Sequence, residues 1–493
     1  MEHAELKAKT FHSIAWALVR IGASNVVGFV VFSVLARVLS PRDFGIFALA
    51  TLVVEFTRIV ATAGLGDAVM RAVRVDEPFM DTAFWANILL GCAVGAVAWL
   101  AAPFYAALVE QPAVVPVLRT LAVLVPIAAL GGIHTARKLH AFGHKALAAR
   151  MIAGGLLGGA AAIVAALHGW GIWSLVVQAA IVDVVGVGFA WQSYPWRPRL
   201  RFHAVHLRAI VGFSAGMMLT QLMWLLLTRM QDIVIGRFVS AAAVGTYRTA
   251  WRMIDLIAQT TIQPIVGVSF VTLARLQDEP ARFRAAFNRM LGLGALFTLP
   301  AIFGFGVLAD AIIPTLFGAR WAEGVPVARI LTLMAIPFTL NYFVGSALAA
   351  IGRSGIIARV AAVQACATIV LSLAAARYGL AWIAAAYVFR AYLTMPYQMH
   401  LFRRETGIDG VAMLRTVMPP LVGSLVMVGV LLLAAPALHR ALGGGVAYLA
   451  AAVPVGAAVF AAALLLFGRA YIRSNLAALR PLRAGGVAER VLT

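Results

Sequence analysis

The chain has 493 residues, of which 62% are hydrophobic and only 12% charged, yet its formal net charge is +21. Soluble domains are roughly 45–50% apolar and about 25% charged, so this composition, with a mean hydropathy of +0.93, excludes a soluble enzyme and a disordered chain. A surplus of 40 Lys and Arg over 19 Asp and Glu fits either nucleic acid or the basic cytoplasmic face of a membrane protein, and the placement of the charges decides between them.

Apolar runs long enough to cross roughly 30 Å of hydrocarbon as helices recur along the whole length. In chain order they are 12–36, 44–64, 83–102, 118–134, 150–168, 171–191, 209–235, 243–268, 288–309, 325–349, 356–376, 380–401, 416–435 and 446–468. The first contains Arg20 and has no small-residue cleavage site, so it reads as a retained helix rather than a signal peptide. About fourteen helices place both termini on one side. The N-terminus, the even-to-odd connections and the C-terminus carry 26 of the 40 basic residues, and the opposite loops carry 7. That bias predicts cytoplasmic termini and accounts for most of the charge without nucleic acid. Cys92 and Cys366 both lie in apolar runs, which argues against a disulfide framework. No His, Cys or carboxylate spacing suggests a metal, and there is no P-loop or HExxH motif. Neither a cofactor nor a catalytic constellation is expected.

The chain also repeats itself. ARVLSPRDFGIFALA (36–50) aligns with GRFVSAAAVGTYRTA (236–250), matching Arg37 with Arg237, Ser40 with Ser240 and Gly45 with Gly245. AFGHKALAAR (141–150) aligns with AIGRSGIIAR (350–359). Two blocks in the same order predict a duplication of six helices in one orientation, a recurring transporter plan. The expected organisation is an N-terminal lobe (1–192), a basic linker (193–208), a C-terminal lobe (209–402), two appended helices (403–468) and a basic tail (469–493).

Ionisable side chains inside membrane helices are costly and face a bundle interior or a wet cavity. Here they recur at helical spacing. Thr51, Glu55 and Arg58 share a face of the second helix, and Arg248, Arg252, Asp255, Gln259 and Gln263 share one of the eighth. Gln221, Arg229 and Asp232 mark the seventh, Asp183 the sixth, Arg20 the first and Arg390 the twelfth. Glu55 with Arg58, Arg229 with Asp232 and Arg252 with Asp255 are i,i+3 pairs that could lock helices. Arg20, Arg248 and Arg390 have no acidic neighbour in their own helices. A guanidinium is always charged and suits phosphate, so the stripes predict a cationic cavity for an anionic, phosphate-bearing substrate. Thr51, Gln221, Gln259 and Gln263 are expected to line it.

The opening LARVLSPRDFG (35–45) resembles Wzx-type polysaccharide transporters of the multidrug/oligosaccharidyl-lipid/polysaccharide (MOP) superfamily. Many members carry an AR-hydrophobic-LSP-x-DFG turn, kept here as Ala36, Arg37, Leu39, Ser40, Pro41, Asp43, Phe44 and Gly45. The resemblance implies an all-α polytopic, MATE-like fold and no enzyme activity. It implies a flippase of undecaprenyl-diphosphate-linked repeat units in the bacterial inner membrane, serving exopolysaccharide, capsule or O-antigen synthesis. Membrane lipids, a polymerase and a chain-length regulator would be its partners. The family's basic lumen carries over as a feature type to Arg20, Arg58, Arg248 and Arg252, then Arg229 and Arg390. Asp232, Asp255, Glu55 and Asp183 are the candidates for proton or sodium coupling, or equally for arginine counter-ions, and the last two helices are candidates for a lipid-tail groove. A cation-coupled multidrug exporter and a peptidoglycan-precursor flippase are the alternatives.

Overall fold

The computed structural model describes residues 22–62, 77–140, 144–193 and 196–468. Arg20, the start of the first expected span and the basic tail lie outside the described residues. Within them the chain is helical and contains no strand. In order the α-helices are α1 (Gly22–Val38), α2 (Pro41–Thr62), α3 (Glu77–Leu108), α4 (Val114–Ala129), α5 (Gly132–His140), α6 (His144–Leu167), α7 (Trp173–Ser193), α8 (Ala204–Phe238) and α9 (Ala241–Thr261). They continue with α10 (Gln263–Arg275), α11 (Pro280–Phe317), α12 (Gly324–Thr332), α13 (Ala335–Ala350), α14 (Ser354–Ala375), α15 (Leu380–Thr406), α16 (Gly410–Leu442) and α17 (Val446–Phe467).

Eight of these are long and apolar enough to cross a membrane. Three further pairs qualify together, each bent at a short break: α4 with α5 by 45°, α9 with α10 by 46° and α12 with α13 by 56°. Every expected run coincides with a helix or bent pair as far as the described residues reach, and eleven pass on length and apolarity. The first, seventh and twelfth runs, on α1, α8 and α15, are not among the eleven, and α15 carries Arg390, Gln398, Arg403 and Arg404.

The bends were read in the sequence as continuous spans, and proline chemistry explains two of them. Pro264 sits in the first turn of α10 and has no N–H to return to the Thr260 carbonyl, so the ladder restarts at Ile262. Pro337 opens α13 in the same way. The bends of α4/α5 and α12/α13 fall on the fourth span of each expected half.

Contacts group the described residues into two compact units. The first runs to Arg248 and includes Ser372–Leu380, and the second holds Thr249–Leu371 and the chain from Ala381 onward. The boundary between these contact units falls inside α9, downstream of the basic linker expected at 193–208. Of that linker, residues 196–203 are non-helical, and α8 already begins at Ala204. The stretch is held on the first unit. The Arg199 backbone N–H donates to buried Asp81 at 3.0 Å, Trp85 Nε1 donates to the Arg199 carbonyl at 2.9 Å, and the His203 N–H donates to Thr82 Oγ1 at 3.2 Å.

In the first unit, Val31 and Leu35 of α1, with Leu39 just after it, pack with Ala162, Ala166 and Leu175. Gly155 and Gly159 face Val27 and Val31, so this small-residue spacing does serve close helix packing. The second unit has a core built around Phe287, Leu291, Ala295, Phe343 and Phe402.

The repeated turn is a helix start. Ser40 Oγ donates to Asp43 Oδ2 at 2.6 Å, that carboxylate accepts the Ser40 N–H at 3.0 Å, and the Asp43 N–H donates to Ser40 Oγ at 3.2 Å. This is a reciprocal capping box with Pro41 at the first helical position, worth about 1 kcal/mol. Its repeat keeps the cap: the Ala243 N–H donates to Ser240 Oγ at 3.0 Å. The two starts cross at their glycines. A Cβ on Gly45 would stand 1.6 Å from the Ala241 carbonyl oxygen, and one on Gly245 would stand 1.9 Å from that of Pro41. Residues 41 and 45 thus meet 241 and 245 reciprocally, as a two-fold relation between repeats requires.

Candidate functional site

The charged stripe of α2 faces partners on other helices, not on its own. Arg58 binds Asp183 of α7 with both guanidinium nitrogens, Nη1 donating to Oδ1 at 3.1 Å and Nη2 pairing with Oδ2. Glu55 accepts two bonds from Arg229 of α8, from Nε at 3.1 Å and from Nη2 at 2.5 Å. Arg248 of α9 donates from Nε to both oxygens of Asp232 at 2.6 and 2.7 Å and from Nη2 to the Thr228 carbonyl at 2.9 Å. Asp232 is fully buried, with Arg229 a second cation 3.7 Å away.

Of the two expected i,i+3 pairs in the first unit, Arg229 with Asp232 forms at 3.7 Å and Glu55 with Arg58 does not. Asp232 is held chiefly by Arg248. Spacing placed the right residues on one face, but a guanidinium reaches across to a neighbouring helix, where a bidentate fork finds better geometry than along its own axis. The stripes of this unit are consequently close to charge-balanced.

The pairs differ in access. Asp232 has none, whereas the Arg58 and Glu55 side chains keep 37% and 39% of their surface exposed. Among the expected lining residues, Thr51 returns its hydroxyl to the Ala48 carbonyl at 3.0 Å, and Gln221 is exposed.

In the second unit, Arg252 and Asp255 are exposed on α9, Gln259 is half-buried and Gln263 is exposed at the start of α10. Arg390 is 5% exposed, its guanidinium carbon 4.2 Å above the Tyr387 ring. Tyr387 meets Trp251 of α9, which also meets Phe338 of α13. Gln398 donates to Asn341 Oδ1 at 2.8 Å. Sequence reasoning did not single out Trp251 or Phe338. The available signal was that Trp251 lies four residues before Asp255, on its polar face.

A separate cavity of about 810 Å³ lies on the second unit between α11, α16 and α17, lined by Phe297, Phe305, Met427, Leu431, Gly456 and Phe460 among other apolar side chains. This is the position expected for a tail groove. No cluster of three His, Cys, Asp or Glu side chains forms among the described residues.

A family model described as polysaccharide biosynthesis protein matches residues 34–326, more than half the chain. The chain belongs to this family. It is 26% identical to the succinoglycan biosynthesis transport protein ExoT of Rhizobium meliloti (strain 1021), over 66% of this chain and 67% of that one. It is 22% identical to the lipopolysaccharide biosynthesis protein WzxC of Escherichia coli (strain K12), over 71% of each. It is 26% identical to the teichuronic acid biosynthesis protein TuaB of Bacillus subtilis (strain 168), over 69% and 71%. Among solved structures, the lipid II flippase MurJ in an inward closed conformation superposes with a TM-score of 0.76 at 14% identity, over 93% of this chain and all of that one. An inward-facing MATE transporter of the MOP superfamily follows at 0.64 and 14% identity, over 79% and 98%. The family member is therefore a multi-pass membrane protein of the MOP fold, and a transporter rather than an enzyme.

Proposed function

We propose that this chain is a flippase that carries polyprenyl-diphosphate-linked oligosaccharide repeat units, undecaprenyl being the bacterial carrier, across the inner membrane for exopolysaccharide, capsule or O-antigen assembly. The observation that carries this reading is the family match across α1 to α12, with relatives named for succinoglycan, lipopolysaccharide and teichuronic acid biosynthesis, the first of them as a transport protein. The chemistry of the site agrees. A lipid-linked head group brings a diphosphate, and the first unit keeps two partly exposed arginine–carboxylate pairs inside apolar spans. The apolar cavity beside α16 and α17 offers the tail a dry surface. Buried Arg390, which has no carboxylate partner among the described residues, favours an anionic over a cationic substrate and so counts against a multidrug exporter, and the fold alone does not separate a repeat-unit flippase from a peptidoglycan-precursor flippase.

The mechanism follows from ion exchange. A diphosphate arriving at Arg229 competes with Glu55 for the same fork, and one at Arg58 competes with Asp183. Replacing one anion by another keeps each guanidinium satisfied while releasing α2 from α8 or α7. Binding energy is thereby differential between a locked and an unlocked arrangement, as a ligand-driven switch requires. The released carboxylate takes up a proton or sodium ion from whichever side it faces, which makes Glu55 and Asp183 coupling candidates. Buried Asp232 serves as a structural counter-ion. Both termini lie in the cytoplasm, and a polymerase with its chain-length regulator consumes the delivered unit on the other side.

The test is genetic and chemical together. In a strain lacking its own repeat-unit flippase, lipid-linked units accumulate and polymer is lost. Expression of this chain restores polymer and clears the lipid-linked pool. Restoration of peptidoglycan synthesis in a strain depleted of its precursor flippase, with no restoration of polymer, overturns the assignment in favour of the alternative.

A further inference from the structure

Arg390 breaks the rule that the first unit obeys. There each arginine of the α2, α8 and α9 stripes has a carboxylate. Arg390 is 5% exposed, makes no ion pair among the described residues, and its Nε–H is buried without an acceptor. Its guanidinium carbon lies 4.2 Å above the Tyr387 ring. A cation–π contact of this kind offsets only a small part of the cost of a buried, unpaired charge. The second unsatisfied donor lies at the same ring. Trp251 meets Tyr387 nearly perpendicularly at 5.4 Å, and its indole N–H is likewise buried with no acceptor. A buried donor left without an acceptor forfeits its hydration with nothing in return. Other buried polar atoms also lack partners, Arg58 Nε and Gln231 Nε2 among them, but here two donors flank one tyrosine ring and one of them belongs to an arginine with no carboxylate among the described residues.

The rings extend outward. Trp251 stands 6.3 Å from Phe338, and Phe338 stands 5.1 Å from Tyr342. Polar groups on the same helices complete the surround: Thr394 follows Arg390 by one turn of α15, and Gln398 by two, bonded to Asn341. A pyranose ring matches this combination, with C–H groups on its face for aromatic rings and oxygens at its rim for donors.

We propose that Trp251, Tyr387 and Arg390 form a sugar subsite that seats a pyranose ring bearing an anionic oxygen, the oxygen accepting from both the guanidinium and the indole N–H. This rests on the flippase reading and specifies the head-group chemistry it selects. The anionic oxygen has two sources in a lipid-linked repeat unit: the carboxylate of a uronic acid, or the diphosphate on the first sugar.

The full chain is purified into nanodiscs and titrated calorimetrically with three probes: glucuronosyl-glucose, cellobiose and sodium pyrophosphate. Glucuronosyl-glucose is expected to bind at least tenfold more tightly than cellobiose. Arg390→Gln and Trp251→Phe each reduce that affinity tenfold or more, and Arg390→Lys restores part of it. If pyrophosphate displaces the acidic disaccharide and shows the same sensitivity to the variants, the site also reads the diphosphate. If it does not displace the disaccharide, the carboxylate is the ligand. Trp251→Phe keeps the test decisive where Arg390→Gln fails to fold. Equal affinity in wild type and Trp251→Phe, or no preference for the acidic disaccharide, overturns the subsite. Polymer export by the wild-type chain is scored separately: export with variant-insensitive binding discards the subsite alone, and variant-sensitive binding without export discards the flippase reading alone.

Discussion

Asp232 is enclosed by Arg248 and Arg229 and exposes none of its side chain. Removing its charge strands Arg248, whose side chain is 18% exposed, in a site built for a pair. Breaking one partner of such a pair costs about 3–5 kcal/mol, while neutralising both is far milder. Asp232→Asn is therefore expected to lower the thermal unfolding temperature of the detergent-purified protein sharply, and Asp232→Asn with Arg248→Gln to recover at least half of that loss. A double variant no better than the single one would show that the two residues do not act as a pair. Glu55 differs, being 39% exposed and bonded to Arg229 at the surface of the pair. Glu55→Gln is expected to leave stability within about 1 kcal/mol but to change repeat-unit export. Unchanged export would remove Glu55 from the exchange mechanism. The sequence made these residues visible because charge is rare in apolar runs. It did not reveal their partners, because spacing along one helix says nothing about which neighbouring helix a guanidinium can reach.

At the scale of elements, the repeated turn turned out to be architecture. LSPRDFG supplies an N-cap, a proline at the first helical position, a reciprocating aspartate and a glycine over which another backbone passes. The crossing of α2 and α9 admits no Cβ at either glycine, since the nearest atoms are backbone carbonyl oxygens that cannot rotate away. Gly45→Ala and Gly245→Ala are each expected to destabilise the protein by about 3 kcal/mol or more, read as a lowered unfolding temperature. Gly267→Ala on α10, where nothing lies within 4 Å, is the control and should be neutral or stabilising by up to about 1 kcal/mol. Equal behaviour of the three would mean the crossing does not persist. Apolar periodicity located the helices well, since burial and lipid both demand it. Pro264 and Pro337 are visible in the sequence as helix breakers beside the breaks at Ile262 and Leu333–Met334, but proline inside a membrane span is tolerated often enough that it does not by itself separate a bend from ordinary packing.

For the whole molecule, the charge bias predicts more than any contact does. The connections on the basic side include Arg197, Arg199, Arg201 and Arg282, and those on the other side carry glycines with positive φ such as Gly169, Gly318 and Gly379 and little charge. The duplication read from offset 200 agrees with this topology, because repeats of six spans return the chain to the same side, and the reciprocal meeting of 41 and 45 with 241 and 245 is what such a repeat produces. Cysteine labelling tests the resulting sidedness directly. Cys92 and Cys366 are both exposed on the protein surface, so they are first replaced by serine. Ala113→Cys and Ala319→Cys, at exposed positions on the weakly charged side, are expected to react with a membrane-impermeant maleimide in intact spheroplasts. Asp278→Cys and Ser354→Cys, exposed on the basic side, should react only after permeabilisation. The reverse pattern would invert the protein and, with it, the direction of export, because the arginine pairs would then be loaded from the periplasmic leaflet. Labelling of all four positions from outside would break the even span count, and with it the reading of two six-helix repeats in one orientation.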